Sequence, residues 1–465
     1  MKAKHLIELG FEQGPLIGRL MQDVAAAAKA GMSRADIERD LRAILEDPTL
    51  HADHPHFCEA ALQLAQNRRK NVFHERESPA PYRSWATGLE ASAVAQMDAA
   101  ARLPVAVAGA LMPDAHTGYG LPVGGVLACD NAVIPYAVGV DIACRMRLSI
   151  LDVPADKLDA LRDMLEKALM TETVFGVGAG FGKRPLHHDV LDDDWTVSPI
   201  TKQTFEEARV QLGTSGSGNH FVEFGTITLD KDDLGLPAGS YLALLSHSGS
   251  RGSGAMVASH YSKLAMSQHP ELPRDLKYLA WLDMNDEAGQ EYWAAMTLMG
   301  RYAAANHELI HKRVLRAVGA SAAATVENHH NFAWKETHDG REVIVHRKGA
   351  TPAGAGVLGV IPGSMATPGY VVRGKGEPAS LESCSHGAGR AMSRTAAKDR
   401  FNWHGVNPQL EAAGVKLLSA GIDEVPGVYK DIHQVMAQQT DLVDVVARFD
   451  PKIVKMAPSG ERPED

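Results

Sequence analysis

Six short blocks rich in Gly and His run across most of this 465-residue chain: MPDAHTGYG (112–120), GVDIAC (139–144), GTSGSGNHFVE (213–223), SHSGSRG (246–252), ENHHN (327–331) and SHGAGR (385–390). Among their side chains are a carboxylate at Asp141, a thiol at Cys144 and imidazoles at His220, His247, His330 and His386. One thiolate, one carboxylate and three imidazoles suffice for two metal ions if the thiolate bridges them. Such a pair can clamp the attacking and leaving oxygens of an in-line phosphoryl transfer. Read alone, Cys144 is equally one more buried small residue, the usual fate of a free cysteine. In a straight strand Asp141 and Cys144 would face opposite ways, so shared coordination requires a turn or bulge between them.

Gly-rich turns suit anions, because backbone N–H groups can form a concave nest that side chains would block. GTSGSGNH and IPGSMATPG (361–369) fit that use, and both fit ordinary turns as well. His386 is the candidate nucleophile, since imidazole attacks phosphorus well and leaves well. Gly387, Ala388 and Gly389 leave room for a purine nucleotide, and Arg390 could grip phosphate bidentately. The competing reading is a helix N-terminus packed closely through Gly-Ala-Gly. Gly369–Lys375 has P-loop spacing, but Gly376 follows where Ser or Thr is needed and the interior reads as strand. No G-x-S-x-G elbow, HExxH, Rossmann fingerprint or Lys-x-Asp-Gly motif is present.

Composition is that of a globular protein, 45% apolar and 22% charged, with no apolar run near the ~18 residues a membrane helix needs. The opening MKAKHLIELGFEQGP lacks a signal peptide's apolar centre, and the four cysteines (Cys58, Cys129, Cys144, Cys384) lack short paired spacing. These features predict a cytoplasmic, reduced protein without a membrane partner. A net charge of −10 excludes indiscriminate coating of nucleic acid. Cations beside the blocks, namely Arg145, Arg147, Lys183, Arg184, Arg251, Arg347, Lys348, Arg390 and Arg394, leave room for a local basic groove or are simply solvated.

The elements that must hold these groups fall into two regions. Residues 1–75 read as a helical appendage: Pro15 to about Lys29 has helical apolar spacing, and Ser33 with Asp36 opens the next helix. Its end carries His51, His54, His56 and Cys58, a Pro-broken tract more typical of solvated histidines than of a metal site. Residues 76–465 read as one large mixed α/β domain. Short β-like runs (GGVLAC, YLALLSH, REVIVHR, GYVVRG) alternate there with helix-like stretches at 155–170, 255–267 and 285–318. The Gly-rich segments sit at the ends of these runs, so their polar residues should converge.

Together and in order, the blocks resemble the RtcB family of GTP-dependent RNA ligases over roughly residues 80–456. The resemblance implies a single-domain α/β fold that joins RNA ends bearing a 2′,3′-cyclic phosphate or 3′-phosphate to a 5′-hydroxyl, in tRNA splicing or RNA repair. It implies GTP and two manganese ions, one held by Asp141, Cys144 and His220 and the other by Cys144, His247 and His330, with zinc as a competing occupant on affinity grounds. Nucleotide contacts are implied for Asn219, His220, Phe221, Val222, Glu223, His330, Asn331, Pro362, Gly363, Ser364, Met365, Gly369, His386, Gly387, Ala388, Gly389 and Lys455, with His386 guanylylated. RNA ends are the implied partners, and an archease-type activator is compatible with the family. Four departures stand out: Arg145 where members commonly have Gly, Gly369 where many have a nucleotide-contacting Ser, a tail beyond Lys455, and the 1–75 segment. Other outcomes compatible with the blocks are a metal-dependent cyclic phosphodiesterase or guanylyltransferase that does not seal, and a noncatalytic RNA-end binder.

Overall fold

The computed structural model describes residues 1–11, 15–70, 73–182 and 185–461, with the side chains of 15 and 66–70 left aside. Lys183 and Arg184 lie outside the described residues. The chain divides into two compact units, Met1–His74 with His269–Pro273, and Glu75–Gln268 with Arg274–Asp465.

Helices Ala3–Leu9, Pro15–Lys29, Arg34–Glu46 and Cys58–Lys70 form the first unit. Their apolar stripes close on a core that includes Leu6, Leu20, Ile37, Leu41, Ile44 and Phe57. Ser33 caps the third helix by accepting from Asp36 N. The histidine tract is not simply solvated. His54 Nδ1 accepts from the backbone N–H groups of His56 and Phe57, and its Nε2 pairs with Asp40. Among the described residues no metal-ligating group forms there.

The second unit is mixed α/β and contains an eight-stranded sheet. Side by side lie Leu358–Ile361, Gly369–Gly374, Val443–Met456, Phe221–Leu229, Gly239–Ser248, Arg145–Pro154 and Ala322–His329, all antiparallel to their neighbours. Lys416–Ser419 pairs in parallel with Val443–Met456. Side-chain alternation gives the sheet two faces. One packs Val222, Leu242 and Leu244 against helices Leu158–Glu172 and Glu287–Val318 through Leu165, Leu169, Ile310 and Val314. The other carries Leu148, Leu245, Val371 and Phe449.

A five-stranded sheet runs Tyr82–Ser84, Ala106–His116, Val123–Cys129, Arg341–Lys348, Asn331–His338. Its Val126, Ala128, Val343 and Val345 share a core with Ile361, Val372 and Val443 of the larger sheet. The chain crosses between the two sheets at His330, the one residue separating Ala322–His329 from Asn331–His338. Gly369–Gly374 is strand, so its P-loop spacing is accidental. The helix expected at 255–267 starts at Arg251, directly out of the SHSGSRG block. Among the described residues no helix is long and apolar enough to cross a membrane.

Candidate active site

Four neighbouring strands of the large sheet bring four candidate ligand residues to the same end. Cys144 precedes Arg145–Pro154, His220 precedes Phe221–Leu229, His247 sits near the end of Gly239–Ser248, and His330 follows Ala322–His329. Because the strands alternate in direction, two starts and two ends coincide. Cys144 Sγ lies 3.3 Å from His220 Nε2 and 3.1 Å from His247 Nε2. His247 Nε2 is 3.2 Å from His330 Nε2, and Asp141 Oδ2 is 3.2 Å from His220 Nε2. The anticipated turn between Asp141 and Cys144 is present: Cys144 N donates to Asp141 O, and Ala143 takes a φ of 57°.

These buried groups form two sets, Asp141–Cys144–His220 and Cys144–His247–His330, each with its ligand atoms within 4.8 Å of one another. Cys144 belongs to both. The donor set fits two divalent ions sharing a thiolate, and three details prepare it for that use. Burial lowers the His247 pKa to about 3 and that of His330 well below the usual range, keeping both imidazoles neutral, which is the ligand form. His247 Nδ1 donates to Asn219 O at 3.2 Å, so Nε2 carries the lone pair. His330 Nδ1 is buried without a hydrogen-bond partner among the described residues. Burial alone would raise the Asp141 pKa, but His220, Arg251 and the Ser250 N–H hold it below the carboxylate range. Gly249 is required beside it, since a Cβ there would stand 2.0 Å from Asp141 Oδ2.

His386 comes from the other side of the cavity, immediately after the short strand Ser383–Ser385. It does not start a helix; the next one begins at Arg394. His386 Nδ1 donates to Asp114 Oδ2 at 2.6 Å, and the backbone N–H groups of His386 and Gly387 reach the same oxygen. Nδ1 therefore holds the proton and Nε2 the lone pair. Burial opposes ionisation of Asp114, yet His386, His116 and Lys430 hold its pKa below the ordinary value. Asp114 stands inside the MPDAHTGYG block, but residue type alone assigned it no role. Gly389 lets the loop close: its φ is 71°, and a Cβ would fall 2.3 Å from Asp114 O. The His386 and His330 rings are 5.0 Å apart between centroids.

Between these walls lies a cavity of about 290 Å³. Of the residues expected at a nucleotide, Asn219, Phe221, Glu223, His330, Asn331, Pro362, Gly363, Ser364, Met365, Gly369, His386, Gly387, Ala388 and Gly389 line it. His220 sits behind Cys144 rather than on the wall. Val222 and Lys455 are not on the wall either, for one reason. Phe221 and Glu223 face the cavity, so Val222 faces the helices, and the register pairs Lys455 with Val222. Lys455 Nζ instead donates to the carbonyls of Leu169, Met170 and Thr173 at the end of helix Leu158–Glu172, while Val454 and Met456 line the cavity. Arg145 is likewise not part of the wall; it turns to Gly300 O and Glu327. Arg390 lines the cavity but is bonded to Glu424, Asp423 O and Met392 O, so it is not a free phosphate fork. Burial raises the Glu223 pKa well above the carboxyl range and lowers that of Lys348, also on the wall, to about 7.

The family model for the tRNA-splicing ligase RtcB matches residues 96–197 and 192–456. This chain belongs to the RtcB family. The RNA-splicing ligase RtcB of Escherichia coli K12 is 34% identical over 400 residues, 79% of this chain and 95% of that protein. The tRNA-splicing ligase RtcB of Nanoarchaeum equitans is 31% identical over 420 residues, 74% of this chain and 87% of its own. The RNA-splicing ligase RtcB of Mycobacterium tuberculosis is 32% identical over 412 residues, 73% and 94% respectively. Every block around the cavity lies within the matched RtcB segments.

Lys455→Met removes the cap on three helix carbonyls and should cost about 2 kcal/mol of stability in urea titration. Affinity for the guanine nucleotide that the resemblance implies, measured by titration with GTP, should stay at the wild-type value, because the Lys455 side chain is turned away from the cavity.

Proposed function

We propose that this RtcB-family protein is a GTP-dependent RNA ligase that joins 2′,3′-cyclic phosphate or 3′-phosphate ends to 5′-hydroxyl ends. The observation that carries it is a cavity with an Asp114-held imidazole on one wall and a doubly shared thiol on the other. All of these residues lie within 76–465, the region assigned to catalysis, with 1–75 as a helical extension. Two divalent ions held by Asp141, Cys144, His220, His247 and His330 would supply Lewis acidity to phosphate oxygens. The family implies manganese, and thiolate and imidazole donors make zinc a strong competitor. None of the four cysteines forms a disulfide, which suits a reducing cytoplasm.

The protein groups then divide the work. His386 Nε2 attacks the α-phosphorus of GTP, forming a P–N bond and expelling pyrophosphate. Asp114 retains the Nδ1 proton and offsets the positive charge gained by the ring. A cyclic RNA end is first hydrolysed to a 3′-phosphate, whose oxygen displaces His386 from phosphorus to give an RNA–pp–G end. The 5′-hydroxyl finally attacks the 3′-phosphorus and expels GMP. Glu223 on the wall suits guanine. A buried carboxyl without a compensating cation favours a ligand that brings paired N–H donors, and guanine N1 and N2 provide them where adenine does not.

Incubation with α-labelled GTP and manganese, followed by RNA bearing the two end types, should give labelled protein that discharges as longer or circular RNA forms. Label without joined RNA would favour the end-activating enzyme; RNA binding with neither label nor product would favour the noncatalytic binder. His386→Ala should abolish the adduct while leaving metal content by elemental analysis near wild type. Cys144→Ala should remove both, since the thiol serves both ligand sets. Gly369→Ser adds a hydroxyl at a close-packed position, where a new Cβ would lie 3.3 Å from Pro362 Cα and 3.4 Å from Ile361 O, so the backbone of the facing strand must give by a few tenths of an ångström. It should lower the KM for GTP several-fold, as expected for one added hydrogen bond of about 1 kcal/mol.

A further inference from the structure

Three tyrosines from separate segments meet at the cavity mouth. The Tyr119 and Tyr136 rings pack edge-on against Tyr278, with centroids 6.0 and 4.9 Å away. Tyr119 and Tyr136 belong to the cavity wall, yet Tyr119 is 67% exposed and Tyr278 40%. The backbone is shaped to allow this meeting. Gly120 has a φ of 69°, and a Cβ there would lie 2.8 Å from Tyr278 O. Exposed rings of this size contribute little to a core and offer π-faces to a ligand.

The charged groups around the tyrosines narrow the ligand. Arg274 and Lys277, close to Tyr278 in sequence with Asp275 between them, are exposed and form no ion pair among the described residues. On the inner side the buried Lys348 Nζ donates to Tyr119 O and also lines the cavity. Aromatic faces beside a cavity-lining lysine suit one unpaired nucleotide, its base on the rings and its phosphate toward the Lys348 side. Tyr119 lies five residues beyond Asp114, which holds His386, so the platform adjoins the wall where phosphate is activated.

We propose that Tyr119, Tyr136 and Tyr278 form a stacking platform for the terminal base of the RNA strand that carries the 3′-phosphate. The platform rests on the ligase function above. It makes that strand's last nucleotide single-stranded and base-bearing, and it acts only after guanylylation of His386.

Protein–GMP formation without RNA and the KM for each RNA strand are measured for wild type, Tyr119→Leu, Tyr119→Phe and Tyr278→Ala. Tyr119→Leu alters an exposed side chain and tests the platform if Tyr278→Ala fails to fold. The expected result is normal adduct formation, a KM for the 3′-phosphate strand raised about tenfold or more in the leucine and alanine variants, and recovery in Tyr119→Phe. A 3′-phosphate strand lacking its terminal base should be penalised with wild type and no further with Tyr119→Leu. An unchanged KM, or a penalty that follows the terminal base of the 5′-hydroxyl strand instead, overturns the platform while leaving the ligase function standing. Wild type that forms neither adduct nor product overturns both.

Discussion

The site depends on the register of four antiparallel strands. Phe221 pairs with His247, and His247 with Met146, while Arg145 pairs with His329. That alignment carries Cys144, His220, His247 and His330 to one end of the sheet, within contact distance. A slip of one residue in any strand would turn its alternating side chains to the opposite face and take His247, Phe221 or Glu223 out of the cavity. The apolar layer under the helices guards against this, because a slip of Phe221–Leu229 would replace Val222 there with Glu223.

The long helix Glu287–Val318 secures the loops that leave this edge. Asn306 accepts from Gly213 N and donates to Gly249 O, tying the loop before His220 to the loop that cradles Asp141. The next residue, His307, binds Ser248 O and Ser246, and one turn further His311 joins Ser246 to Ser149. These groups are buried and partnered with one another, the condition under which a polar network makes a core specific rather than weak. The metal-ligand geometry is thus supported from behind by a network that never reaches the cavity.

The opposite wall is a separate construction. Asp114 lies two residues before the end of Ala106–His116 in the five-stranded sheet, His386 follows a strand of a two-stranded one, and the chain passes between the five- and eight-stranded sheets through His330. The cavity forms because two sheets share a core through Val126, Val345, Ile361 and Val372. His386 and the candidate metal ligands therefore sit on different elements and meet only when that core is packed.

Much of this was legible in the chain, and what was legible was local. Strand runs, the Pro15–Lys29 helix, the Ser33 cap and the turn between Asp141 and Cys144 follow from neighbouring residues, since propensity, capping and steric limits act over a few positions. The six blocks pointed to the chemistry proposed above, because thiol, carboxylate and imidazole beside glycine suit few other purposes in such number. The direction of each side chain was settled elsewhere. Lys455 and Val222 lie within the right segments but on the helix side of their strands; Arg145 follows the thiol yet points to Glu327; Arg390 is held by Glu424. Asp114 acquires its role only where the Gly389 loop brings His386 onto it. Sequence determined which chemistry the chain carries, because chemistry belongs to residue types. Tertiary structure decided which groups share the cavity, because strand phase and the packing of two sheets depend on contacts between residues more than two hundred positions apart, such as Asp114 and His386.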